Sequence, residues 1–313
     1  MSYYGARNRL TKLMLEKMDN DNFLSQIDHN LWYIIPDLDQ LTSIQHCFVQ
    51  FNEDLQTKNF LDNCIEKSEH FFTQLLHSFV LSFLQYFMAI TSINGLLQRG
   101  SMFVFSEDQF KNLIDFRGEN KLTNLLDLGA GDGEVTSKMA PFFQNVYTTE
   151  MSTTMRWRLQ HKGFQVVEVN EWDKIRSGSG EDSFVKFDAI SCLNLLDRCD
   201  KPLSLLKQMK KALKPNGLLI VALVLPYKPY VEYNPDNKPS EDLLEVWSPG
   251  FCVNNEPCKM NKVNKQIKHL IENVFEPIGF ELTKFTRLPY LCEGNLAQSY
   301  FYLIDYVFIF KNK

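Results

Sequence analysis

The sequence is short of positive charge: 33 Lys and Arg stand against 38 Asp and Glu in 313 residues, for a net charge of −5. A phosphate-backbone ligand usually leaves a basic footprint, so nucleic acid is not the expected partner. The seven cysteines, at positions 47, 64, 192, 199, 252, 258 and 292, include no metal knuckle. Cys192 and Cys199 lie too far apart, and Cys252 and Cys258 lack a second pair. They read as reduced thiols of a cytosol-like compartment, without zinc. The opening residues, Met1 to Arg7, show no apolar h-region, so no secretory signal is expected and the chain reads as cytoplasmic. Charge is missing altogether from His70 to Gln98, a stretch long enough to raise a membrane span. Gln74, His77, Ser78, Ser82 and Gln85 interrupt it at a cost in lipid, so a buried helix of a soluble domain is expected, with membrane contact the lesser alternative.

What is present is organised around Leu125-Leu126-Asp127-Leu128-Gly129-Ala130-Gly131-Asp132-Gly133-Glu134. An apolar run ends in an acid and three glycines, and an amphipathic segment follows; this reads as strand, tight turn, helix. Glycine takes positive φ at no steric cost and lets a ligand approach bare backbone, beside the free N–H groups that open a helix. The spacing is G-x-G-x-G and not the dinucleotide G-x-G-x-x-G, and Asp127 and Asp132 would repel a pyrophosphate. A cationic, phosphate-free nucleoside suits the turn better, and S-adenosylmethionine is such a ligand. Glu150 closes the next short β-rich run, about 20 residues past the glycines, where a carboxylate accepts ribose hydroxyls. Gly129, Gly131 and Glu150 are therefore expected to touch the cofactor.

The chain divides into residues 1–105, an arm and an all-helical extension, and 106–313, a Rossmann-like α/β domain with a lid at 226–262. Helices are expected over 66–78 and 79–90, with a loop at 91–102 that packs on the nucleotide, closes the site or merely connects helices. Strands are expected at 122–128, 145–149, 164–169, 187–193 and 218–225, then at 280–285 and 300–310 with a loop between. Trp172 reads either as a stacking surface for adenine or as a surface tryptophan. The lid acids Glu232, Asp236, Glu241, Asp242 and Glu245 could draw a basic or histidine-bearing substrate, though a solvated face is the more frequent case.

Asn194 and Asp197 follow the fourth strand, whose carboxyl end faces the ligand crevice in such folds. Two acceptor signatures are absent there: the N/D-P-P-Y/F of amide and adenine methylases, and the Pro-Cys of cytosine C5 enzymes. A carboxylate three residues past Asn194 suits an imidazole, whose unperturbed pKa of about 6.5 leaves it mostly neutral at pH 7. From spacing alone, Asp197 as an N-cap of the following turn or as a partner of Arg198 is the more common arrangement.

The runs LLDLGAGDGEVT (125–136), ISCLNLLDRCD (190–200), ALVLPYKPYVE (222–232), FTRLPYLCEG (285–294) and TSINGLLQRGSMFVFS (91–106) resemble the methyltransferase-like protein 9 family, also called DREV. The resemblance implies a seven-β-strand, S-adenosylmethionine-dependent fold with an α-helical N-terminal extension. It implies protein-histidine methylation at Nπ in His-x-His motifs with a small middle residue, leaving S-adenosylhomocysteine. It also implies cofactor contacts at Asp127, Gly129, Glu150, Asn194 and Tyr290, and it sets Asn194 and Asp197 beside the target imidazole. Endoplasmic reticulum or mitochondrial association comes with it. A small-molecule methyltransferase and a catalytically silent cofactor-binding scaffold are the competing readings, since fold alone does not fix the acceptor.

Overall fold

The run Leu122–Leu128 forms a strand, β2, whose leucines alternate between two cores. Leu126 and Leu128 pack with Ile190, Val221 and Phe308; Leu125 packs on the opposite face with Ala189, Ala222 and Val307. Apolar runs without polar alternation belong in a sheet covered on both sides. β2 accordingly sits between β3 (Phe143–Thr149) and β5 (Phe187–Leu193), parallel to both. The remaining strands are β1 (Met102–Phe103), β4 (Gln165–Val167), β6 (Leu213–Val224), β7 (Phe280–Asn295) and β8 (Gln298–Asn312). The sheet order is β1-β7-β8-β6-β5-β2-β3-β4. β8 pairs antiparallel with both β6 and β7, and the short β1, which makes an eighth strand, caps the β7 edge. This is an α/β Rossmann-like sheet. The computed structural model describes residues 9–86, 89–176, 184–231, 234–241, 243 and 262–313.

Helices α5 (Glu107–Leu113), α6 (Glu134–Met139), α7 (Thr153–His161), α8 (Pro202–Ala212) and α9 (Lys262–His269) accompany the strands. Ser106 starts α5 through a capping box: its Oγ accepts the Gln109 N–H while the Gln109 side chain accepts the Ser106 N–H. Ahead of them come α1 (Arg9–Ser25), α2 (Leu55–Glu69), α3 (Phe71–Leu84) and α4 (Ile90–Leu96). This N-terminal part is built into both cores. Trp32 and Tyr33 join one, Ile35, Leu41 and Ile44 the other, and just beyond them the chain runs along the β7 edge, where the Val49 N–H donates to Phe285 O at 2.9 Å.

Four expectations are corrected here. The helix break falls at His70 and not at 78–79, and the Gln74 side chain donates to Lys67 O at 3.0 Å, satisfying a carbonyl left free at the end of α2. The uncharged α3 is not buried: Phe72 is 84% and Phe79 71% exposed, because both sheet faces already have their cover. The first half of the expected loop 91–102 is helix α4, and Gly95 serves close packing on α7, where a Cβ would stand 2.6 Å from Thr154 Oγ1. The segment 286–294 is strand, since Pro289 lies on the sheet edge between the pairings of Phe285 and Leu291, where a missing N–H costs little. Among the described residues no helix is long and apolar enough to cross a membrane.

Candidate active site

The glycine turn after β2 takes the conformation its residues require. Gly129 and Gly131 have φ of +70° and +55°, and a Cβ on Gly131 would come within 3.0 Å of Met102 Cε. Glu150, at the end of β3, grips this turn: Oε2 accepts the Gly131 N–H at 3.1 Å and Oε1 the Ser152 N–H at 2.9 Å. Ser152 caps α7. Asp127 lies beneath, 3% exposed, accepting hydroxyls from Thr136 at 2.5 Å and Ser191 at 2.7 Å. Burial pushes its carboxyl up to about 6, against the pull of those two hydrogen bonds.

At the end of β5 a cavity of about 340 Å³ is lined by Asn194, Asp197, Arg198, Lys228, Tyr290 and Leu303, with Val224 and Pro226. Asn194 is left-handed at φ +52°, a conformation asparagine tolerates, and its N–H donates to Ala222 O at 2.9 Å. Its Nδ2 donates to Asp305 Oδ2 at 2.7 Å. Asp197 is no helix cap, since α8 begins at Pro202 with Lys201 as its N-cap. Its Oδ2 accepts Arg198 Nε at 3.2 Å, and its carbonyl accepts the Tyr230 N–H at 2.8 Å. Oδ1 of Asn194 and Oδ1 of Asp197 are both buried without a protein partner. Burial raises the Asp197 carboxyl, with the Arg198 guanidinium working against it. Tyr290 projects from β7 and donates its hydroxyl to Met102 Sδ at 2.7 Å; burial holds that hydroxyl well above its ordinary pKa.

Met102 thus lies between Tyr290 and the space over Gly131, in contact with the cavity wall on one side and beside the glycine turn on the other. Asn194, Asp197 and Tyr290 share the cavity wall, and Gly129, Gly131 and Glu150 form the adjoining turn. α4 adjoins it too, with Thr154 Oγ1 donating to Ser92 O at 2.9 Å. Trp172 takes neither expected role: it is 4% exposed in the core with Leu206 and Ile190. Glu241 is not a free lid acid, because it accepts both the N–H and the hydroxyl of Ser204 at the start of α8, at 2.8 and 2.6 Å. Glu232, Asp242, Glu245, the Ser177–Ser183 insertion and Cys252 and Cys258 lie outside the described residues. Sequence reasoning missed Met102, Leu303 and above all Asp305. The available signal was a lone acid inside the apolar run Leu303–Phe310, where an unpaired charge is costly.

The donors and acceptors fit S-adenosylmethionine. Its ammonium and ribose need acceptors, for which Asn194 Oδ1 and the Glu150 carboxylate are suited, and bare backbone at Gly129 and Gly131 admits a close approach. Among the described residues no group of three or more His, Cys, Asp or Glu could hold a metal ion. The family model for DREV methyltransferase matches residues 32–312. The chain belongs to that family. Solved structures similar to this DREV chain include the N-methyltransferase NodS from Bradyrhizobium japonicum WM9 in complex with S-adenosyl-L-homocysteine, at 14% identity over 66% of this chain and 85% of that one, with a TM-score of 0.38. Another is magnesium protoporphyrin IX methyltransferase from Synechocystis PCC 6803, at 12% identity over 66% and 81% of the two chains, with a TM-score of 0.38. The DREV assignment rests on the family match, which spans both the N-terminal part from Trp32 and the whole sheet.

Proposed function

We propose that the protein transfers a methyl group from S-adenosylmethionine to the Nπ atom of histidine in proteins or peptides carrying His-x-His, with x small. The observation that carries this reading is the pair of unpartnered acceptors, Asn194 Oδ1 and Asp197 Oδ1, on one cavity wall. The bound cofactor supplies an electrophilic methyl on a sulfonium, so the protein's share is proximity and orientation. Gly129, Gly131, Glu150, Asn194 and Tyr290 hold it, while Asp127, locked to Thr136 and Ser191, keeps the turn in shape.

Asp197 is suited to an imidazole because Arg198 engages only one of its oxygens. The other accepts an N–H from the ring, which fixes the tautomer and leaves the second nitrogen's lone pair for the methyl group. Methylation makes the ring cationic, and the same carboxylate then stabilises that charge until the N–H proton leaves to solvent. Arg198 and Lys228 on the cavity wall disfavour an acceptor that enters already charged. The His-x-His preference itself is supported by the sequence resemblance.

The test is methyl transfer from labelled S-adenosylmethionine to a peptide containing Ala-His-Ala-His, beside copies with each histidine replaced. Label that requires both histidines supports the proposal. No label on any peptide, with cofactor binding confirmed by calorimetry, overturns it in favour of a small-molecule acceptor.

A further inference from the structure

Asp305 is fully buried on β8, between Val224 of β6 and Leu288 of β7, and neither the glycine turn nor the cavity wall includes it. A carboxylate there has no hydrophobic purpose. Its one described hydrogen bond, from Asn194 Nδ2 at 2.7 Å, decides which end of the Asn194 amide is left for the cavity. An amide whose N–H₂ is engaged offers its carbonyl oxygen, an acceptor. With the roles reversed, a protonated Asp305 donates to Asn194 Oδ1 and leaves the N–H₂, a donor, for the cavity.

We propose that Asp305 is the positioning residue of this cavity, and that its ionised form sets Asn194 Oδ1 as an acceptor for a ligand bearing N–H groups. The proposal rests on the methyl-transfer reading, in which the cofactor's ammonium is that ligand. The groups facing Asp305 agree with it. Asp197, held by Arg198, lies toward it from the end of β5, Tyr290 and Cys292 lie toward it from β7, and β6 presents Val224. Among the described residues no cation pairs with Asp305, so burial, with Asp197 adding to it and the Asn194 hydrogen bond opposing it, raises its pKa to about 8. A cationic ligand entering beside Asn194 therefore expels the Asp305 proton. Binding is linked to proton release, and the amide turns to acceptor as the ligand arrives.

The experiment is calorimetric binding of S-adenosylhomocysteine, which keeps the ammonium and the adenosine, at pH 6.0 to 7.5 in buffers of different ionisation enthalpy. Wild type is expected to release close to one proton, with affinity rising by roughly tenfold per pH unit, the limiting slope for one linked proton. Asp305→Asn, near-isosteric and neutral, is expected to lose the proton release and most of the slope, and to bind at least about tenfold more weakly at pH 7.5. A circular dichroism melt confirms that it is folded. Asp305→Asn binding with the same affinity, slope and proton count as wild type overturns the positioning role and leaves the methyltransferase reading standing. Wild type that does not bind S-adenosylhomocysteine at all overturns both.

Discussion

Asp197 keeps one oxygen on Arg198 and one for whatever enters the cavity, and that asymmetry separates an orienting carboxylate from a surface ion pair. Asp197→Ala is expected to leave S-adenosylhomocysteine affinity within about threefold while lowering turnover on a His-x-His peptide by at least about a hundredfold, the range for losing an acid-base partner. Single-turnover kinetics beside calorimetry check this; unchanged turnover would remove Asp197 from the reaction. Asp305 makes the opposite prediction for stability. Its folded pKa is raised from 3.8 to about 8, so the native state holds a proton that the unfolded chain releases. The stability this confers is full below pH 3.8 and is lost as pH rises through about 8. Asp305→Asn should therefore melt near wild type at pH 4 and about 5 °C above it at pH 8, flat beyond that, in paired thermal denaturation series. A gap that does not widen with pH contradicts the buried-acid account.

The elements around the site differ in how plainly the sequence announced them. β2 and β5 fall where their apolar runs put them, and the glycine turn with Glu150 follows from spacing. β7 did not, because Pro289 and Gly294 read as breakers when taken alone. Only the edge position, which tertiary pairing decides, makes them tolerable. The same blindness hid α4, since Gly95 looks like a loop residue until α7 is seen to need its missing side chain. Tyr290 could be named through resemblance, but its tie to Met102 required two strands to meet. In the segment that follows β6, Ser240 donates its N–H and hydroxyl to Asp200, both at 2.8 Å, and Glu241 grips Ser204. Glu241→Ala should loosen this loop, raising the peptide KM by about three- to tenfold with S-adenosylhomocysteine affinity unchanged; the lost hydrogen bonds to a charged group set the scale, about 1.5–3 kcal/mol before compensation. Steady-state kinetics with varied peptide would show it, and an unaltered KM would mean the loop takes no part in holding substrate.

Across the whole molecule, the N-terminal part is inseparable from the sheet. Trp32 and Tyr33 complete one core and Ile35, Leu41 and Ile44 the other, so a chain begun at residue 50 leaves part of each core uncovered. Trp32→Ala alone is expected to cost about 3–5 kcal/mol in denaturant unfolding. A loss under about 1 kcal/mol would mean that the extension only leans on the domain. The charge pattern acts at the same scale: an acidic chain with Arg198 and Lys228 gathered at the cavity favours a neutral acceptor, and activity should rise from pH 5.5 to 8 as the substrate imidazolium deprotonates. The account turns on one ring nitrogen being held by Asp197 while the other is methylated. The measurement that bears on it most directly is the position of the new methyl group in a His-x-His product, read by NMR or by amino-acid analysis against both methylhistidine standards. The account predicts Nπ-methylhistidine alone. Methyl at Nτ, or a mixture of the two isomers, would contradict it.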